Sequence, residues 1–314
     1  MTHGMGQDNH KEAAERVLIV GASGFLGRSL CDVRGPDFVR IPSVRSESSS
    51  YPGPVDHVVD ITDPEQVDRV VETVRPAWVI NAAAETGVDR CEEEPERAYR
   101  VHVGATQNLV RACERTGSGL VFMSTNYVFD GTRGLYGETD TPNPLGIYGK
   151  SKLAGEACVL EASCPGIVVR TAVLYGYREG CRPNFVTWAA GALSRKEPIR
   201  VVTDEWANPT LVDELASFIL GLCRAGFGGV VHFAGTDFLS RFAMVENICD
   251  IVGLDLGLVA PVTSSELGQK ALRPLRAGLA TELAGTLMDD PVAPFRENLR
   301  LLTGVLGADA GPSR

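Results

Sequence analysis

Val17-Leu-Ile-Val-Gly-Ala-Ser-Gly-Phe-Leu-Gly27 is an uncharged run in which three glycines recur at every third position. Its four leading aliphatic residues read as a strand buried on both faces, ended by Gly21. Gly21 makes a strand-to-helix turn, Gly24 lets a pyrophosphate approach the backbone, and Gly27 lets helix and strand pack closely. The helix predicted from Ser23 presents free N–H groups and a positive dipole end to phosphate. Ser23, Phe25 and Leu26 belong to the same cofactor-facing turn. A tight glycine turn without a ligand is the alternative, and the alternation of strands and helices downstream argues against it.

Short apolar runs at 37–41, 55–60, 77–80, 120–123 and 167–170 alternate with helical stretches. Asp63 followed by Pro64 is an N-cap with proline in the first turn, opening a helix that runs to Val74. Further helices are expected over 96–116 and 149–161. Continuous apolar strands separated by helices indicate an α/β fold, a Rossmann-type doubly wound parallel sheet covered on both faces. After Tyr175 the alternation loosens. Helices are expected over 185–193, 213–223 and 241–252, with a strand at 230–233. The expected organisation is a dinucleotide-binding domain over 16–170 and a mainly substrate-binding lobe over 171–306, with elements returning to the core sheet. Residues 1–15 and 307–314 read as flexible tails, and 43–54 as a loop.

The 314-residue chain carries a net charge of −10 and has a pI near 5.1. That balance argues against nucleic acid or an anionic membrane surface as the main partner. No stretch reaches 18 uncharged apolar residues, which argues against a membrane span, and the polar first fifteen residues lack a secretory apolar region. The eight cysteines form no Cys-x-x-Cys pair and the five histidines show no metal spacing. Reduced thiols, a cytoplasmic location and no metal site are therefore expected.

Tyr148 and Lys152 stand at i and i+4 of the predicted helix, one above the other on a single face. An ammonium beside a phenol favours the phenolate and lowers its pKa, giving a proton donor for carbonyl chemistry. A surface tyrosine packed on a lysine stem is the plainer alternative. Cofactor choice is read at the end of the second strand, where an acid would favour NAD. No acid is present. Arg40 and Arg45 could meet a 2′-phosphate or be solvated surface residues, so NADP (NADPH) is preferred and NAD remains the alternative.

Together these motifs resemble the extended short-chain dehydrogenase/reductase superfamily, and within it the dTDP-4-dehydrorhamnose reductase branch. The resemblance is carried by Gly21 to Gly27, Asp60-Ile-Thr-Asp63, Asn81-Ala-Ala-Ala84, Ser124-Thr-Asn-Tyr-Val-Phe-Asp-Gly131, Tyr148 to Lys152 with Leu153-Ala-Gly-Glu156, Arg170 to Gly176, and Asn208-Pro-Thr-Leu-Val-Asp213. It implies that Thr125 hydrogen-bonds a substrate carbonyl, that Tyr148 protonates it, and that Lys152 tunes Tyr148 and holds the nicotinamide ribose. Asp60 and Ile61 would flank the adenine, with Ala82, Ala83 and Ala84 leaving room for the cofactor. Asn208 and Thr210 match a segment near the sugar nucleotide.

The implied reaction is NAD(P)H-dependent reduction of the 4-keto group of a nucleotide-linked 4-keto-6-deoxyhexose. A nucleotide-sugar epimerase or dehydratase holding NAD tightly, and a non-catalytic NADP-binding subunit like methionine adenosyltransferase β, share the pattern. The resemblance leaves a homodimer open. Four positions depart from it: Asn126 replaces an aspartate, Glu85 an aromatic or histidine, His102 an asparagine, and Val173 a tryptophan. Glu85, Asn126 and Val173 are expected beside the sugar, where they would alter substrate preference. His102 reads as a satisfied helix histidine.

Overall fold

The computed structural model describes residues 14–33, 38–49, 51–288 and 291–306. The expected tails lie outside the described residues, except that 14 and 15 are placed and Glu15 opens the first strand. Seven parallel strands form the central sheet: β1 (Glu15–Val20), β2 (Phe38–Val44), β3 (His57–Val58), β4 (Trp78–Asn81), β5 (Gly119–Thr125), β6 (Gly166–Thr171) and β7 (Gly229–His232). Their order is β7-β6-β5-β4-β1-β2-β3. Strand order reverses between β1 and β4, which opens a crevice at their carboxyl ends where this architecture takes ligands.

Alternate residues of each strand feed opposite faces, as pleating requires. Val17 and Ile19 pack with helices α1 (Phe25–Asp32) and, from the second half of the chain, Val212–Ala225. Leu18 and Val20 pack against the opposite layer, including α2 (Pro64–Val74). All four strand residues are at most 2% exposed, so each contributes roughly 1.5–3 kcal/mol of burial. The start of α2 agrees with the sequence reading: the Asp63 side chain accepts from Glu65 N and Gln66 N at 3.0 and 3.2 Å.

Two elements differ from expectation. β2 continues past Ile41 through Pro42 to Val44. β3 pairs with it only at Ser43 and Val44, so one edge beside Pro42 is open and a missing N–H can be tolerated there. The long helix expected over 96–116 is divided. After the short helix α3 (Val88–Glu93), α4 (Pro95–Tyr99) passes into a π-helical turn, Arg100–Gly104, before α5 (Ala105–Thr116). The tyrosine–lysine helix is α6 (Ile147–Leu160), and Gly155 brings it against the π turn: a Cβ there would lie 2.6 Å from the His102 carbonyl oxygen.

Beyond β6 lie α7 (Phe185–Ser194), α8 (Val212–Ala225) and α9 (Arg241–Val252), with several two-stranded sheets. An apolar cluster that includes Tyr175, Leu193, Met244, Ile248 and Phe295 binds α7, α9 and the C-terminal helix Phe295–Leu306 together. All eight cysteines are free thiols. No helix among the described residues is long and apolar enough to cross a membrane.

Candidate active site

The glycine turn leaves room for a ligand and little else. Gly21 has φ +81°, and a Cβ on it would lie 2.9 Å from Ala83 N across the crevice. A Cβ on Gly27 would lie 2.1 Å from the Gly21 carbonyl oxygen, so only glycine permits the approach of α1. Gly24 is the N-cap of α1, and no side chain caps that end. The first-turn N–H groups are thus available to an anion. This cradle fits a dinucleotide pyrophosphate.

A cleft of about 430 Å³ lies alongside, lined by Arg45, Asp60, Ile61, Thr62, Ala83, Ala84, Glu85, Arg97, Arg100 and Val101. Arg45 reaches it because β2 ends at Val44. Arg40 does not line it. With the strand three residues longer than expected, Arg40 sits mid-strand, where its charge acts on Cys31 of α1 and its Nε is buried without a partner. Glu85, expected beside the sugar, lines this cleft instead and is tied to Arg90 and Arg97 at 3.5 and 3.3 Å. Arg97 and Arg100 carry no motif that singles them out in the sequence. Their spacing of three on one helix is the available signal.

Tyr148 and Lys152 lie on α6 facing the end of β5. The Thr125 hydroxyl bonds the Tyr148 phenol and also lies 3.3 Å from Asn126 Oδ1. The expected tuning is reversed. Burial pushes the phenol above its ordinary value, and the Thr125 hydrogen bond only partly offsets this. Lys152 is 3% exposed, with Nζ 4.2 Å from the centre of the Phe122 ring. Burial pushes its ammonium down to about 7, while the Glu156 carboxylate acts to raise it. Desolvation outweighs the charge effect at both groups.

His102 occupies the π turn, between the two layers of the site. Its Nδ1 is 2.8 Å from Ser151 Oγ and its Nε2 is 3.0 Å from the Glu85 carbonyl oxygen. Burial, with the Lys152 charge, pushes the imidazole down to about 3. Between that value and 6.5 the unfolded chain binds a proton that the folded chain refuses, so stability falls as pH drops through the window. At pH 5 the loss amounts to roughly 2 kcal/mol. His102→Gln is expected to remove that part of the acid limb in urea titrations at pH 7 and 5. An unchanged pH difference would show that His102 titrates normally.

The remaining expected substrate residues are placed differently. Asn126 is 4% exposed, and its Nδ2 donates to the Ala277 carbonyl at 2.7 Å. Asn208 bonds Gly235 O and Leu279 N, each at 2.9 Å, and Thr210 Oγ1 donates to Ala172 O at 2.6 Å. Asn208 is 2% exposed and Thr210 is fully buried. Asn208 and Thr210 thus bond to backbone and brace the wall. What they brace is strained. Val173 has φ +44°, the left-handed region in which a β-branched residue is an outlier, and its carbonyl accepts from Thr210 N at 3.0 Å.

Known proteins share these features. The family described as RmlD substrate binding domain matches residues 15–306. The dTDP-4-dehydrorhamnose reductase of Mycobacterium tuberculosis is 35% identical over 95% of this chain and 94% of its own length. The dTDP-4-keto-6-deoxy-D-glucose reductase of Streptomyces niveus is 34% identical over 83% of this chain and 86% of its own. Among solved structures, the Bacillus anthracis dTDP-4-dehydrorhamnose reductase in complex with NADP superposes with a TM-score of 0.84 at 32% identity. That match covers 92% of this chain and 98% of the other.

Proposed function

The chain belongs to the RmlD substrate binding domain family, and from that membership we propose that it reduces the 4-keto group of a dTDP-linked 4-keto-6-deoxyhexose with NADPH. The observation that carries the reading is the Tyr148 phenol, bonded to Thr125 and held protonated by burial. A reduction needs its acid protonated at the start. NADPH, when bound, supplies the hydride that reaches the sugar carbon.

The chain's own residues do the rest. Gly21, Ser23, Gly24, Phe25, Leu26 and Gly27 hold the pyrophosphate. Asp60, Ile61, Ala82, Ala83 and Ala84 enclose the adenosine, with Glu85 at the edge of its cleft. Thr125 and Tyr148 grip the substrate carbonyl oxygen, and Tyr148 gives it a proton. Lys152, titrating to about 7, holds the nicotinamide ribose and sits in range to restore that proton. The product is a dTDP-linked 6-deoxyhexose, made in the cytoplasm.

The test is incubation with NADPH and a panel of dTDP-4-keto-6-deoxyhexoses, following absorbance and identifying products by NMR. Oxidation of NADPH with a 4-hydroxyl product is expected. Cofactor retained through purification with no net consumption would replace this reading with an epimerase or dehydratase. A stable complex with a synthetase and no ketone reduction would replace it with a regulatory subunit.

Arg45 lines the cleft assigned to the adenosine and supplies the cation to meet a 2′-phosphate. Arg45→Ala is expected to weaken NADPH by about tenfold, the scale of one charge-assisted hydrogen bond, and to leave NADH nearly unchanged. Arg40→Ala should leave the ratio alone. Equal losses for both cofactors in Arg45→Ala would remove the arginine from cofactor choice.

A further inference from the structure

Glu156 follows Lys152 by four residues on α6, the spacing at which opposite charges meet on a helix. The two do not pair. Among the described residues Nζ of Lys152 makes no hydrogen bond or ion pair and rests over the Phe122 ring. The carboxylate is engaged elsewhere, by Ser124 Oγ and by Nε and Nη2 of Arg170.

What aims the guanidinium is found one strand further out. Arg170 on β6 and His232 on β7 are partners in register, with their side chains on one face of the sheet. Two nitrogens of Arg170 are committed to Glu156. The third, Nη1, lies 3.4 Å from His232 Nε2, at the long end of hydrogen-bond range. A guanidinium has donors only, so Nε2 carries the lone pair and the imidazole proton sits on Nδ1. There it donates to the Tyr136 carbonyl at 3.1 Å. The imidazole is wholly buried, and the Phe129 ring lies against both groups, 5.3 Å from the guanidinium carbon and 5.8 Å from the imidazole centre. The backbone is held as well, because His232 N donates to Glu138 at 2.9 Å.

We propose that His232 is a positioning residue of the reduction: its Nε2 lone pair aims Arg170 at Glu156, and so keeps that carboxylate away from the Lys152 ammonium. This rests on the proton-restoring role given to Lys152 above. A carboxylate free to reach the ammonium would hold its proton tightly, since a close opposite charge favours the charged form. Held by three donors, Glu156 acts on Lys152 less strongly than burial does. Cys91 of α3 acts in the same sense as Glu156, and His102 of the π turn, pushed down to about 3, faces the ammonium as a neutral ring. His232 stays an acceptor because burial, with the Arg170 charge, disfavours its second proton against the pull of Glu138. Asp140 in the segment after Glu138 also feels the ring.

His232→Leu removes the acceptor, and His232→Gln supplies a new one. Lysine labelled with 13C at Cε, with Lys152→Met to identify the resonance, reads the ammonium in the full chain without substrate. The parent midpoint is expected at about 7. In His232→Leu it should rise by ~0.5–1 pH unit as Glu156 is released, and in His232→Gln it should return most of the way. The falling limb of kcat/KM should move by the same amount, which a loss of stability alone would not produce. A further measurement needs no variant at position 232. In 15N spectra of the histidines, with His102→Gln to tell the two buried rings apart, His232 should carry its proton on Nδ1 at neutral pH.

A proton on Nε2 would overturn the proposal even if His232→Leu failed to fold. A folded His232→Leu with an unmoved Lys152 midpoint would overturn it too, and leave the reductase reading intact. A shifted midpoint with an unmoved kcat/KM limb would deny His232 a part in the reaction. A parent that reduces no keto sugar would remove the reductase reading, and this role with it, whatever the midpoints show.

Discussion

Tyr148→Phe is expected to yield a folded protein that binds NADPH like its parent and reduces a dTDP-4-keto sugar ~10²- to 10⁴-fold more slowly. The ring stays, with its edge-on contacts to Tyr127 and His102. Only the hydroxyl is lost, and Thr125 keeps its contact with Asn126. The structural cost is thus one hydrogen bond, about 1 kcal/mol. The chemical cost is the proton that the carbonyl oxygen must receive. The parent's pH profile should share this logic. Burial holds the phenol protonated well above neutrality, so loss of its proton does not limit activity there. Lys152 is charged below about 7 and neutral above it, so kcat/KM should fall as pH rises through that value. A Tyr148→Phe enzyme with near-parental turnover would remove Tyr148 as the acid.

Arg170→Met is expected to cost ~3–5 kcal/mol of stability, the scale for breaking one side of a buried ion pair. Arg170 on β6 and Glu156 on α6 are 4% and 1% exposed. The guanidinium meets the carboxylate through two bonds, 2.9 Å from Nε and 2.6 Å from Nη2, and Ser124 Oγ donates to the same carboxylate. Removing Arg170 strands a carboxylate in the low-dielectric layer between helix and sheet. Replacing both partners, as in Glu156→Leu with Arg170→Met, should restore much of the loss. Urea unfolding of the three variants measures this. A single-mutant loss under ~1 kcal/mol would show that the pair is no anchor. Glu156 also acts to raise Lys152. An unpaired Glu156 should therefore move the activity limb near pH 7 to higher pH in Arg170→Met.

The sequence discloses what is local. The β1 run, the glycine turn and the Asp63-Pro64 cap each carry their cause within a few residues, and the structure places them as read. The end of β2 lies farther on than its residues suggest, because proline signals a break while an open sheet edge tolerates it. The three-residue difference puts Arg45, not Arg40, at the cleft. The bracing roles of Asn208 and Thr210 are hidden because their partners lie 25 to 71 residues away in sequence, and no spacing rule reaches so far. Tyr148 and Lys152 are legible as a pair, but the direction of their tuning depends on how deeply α6 is buried.

The π turn holds one residue more than a regular helix would over the same rise. Deleting any single position between 100 and 104 would let the backbone revert to ordinary winding. The extra residue is absorbed within the wide turn, so the segments on either side would keep their phase. Arg97 would stay at the rim of the adenosine cleft, while the wide turn from which the His102 imidazole reaches Ser151 and the Glu85 carbonyl would be lost. Such a deletion would thus unseat the imidazole without moving the cleft, whereas one within the regular winding of α5 would rotate everything before it by about 100°.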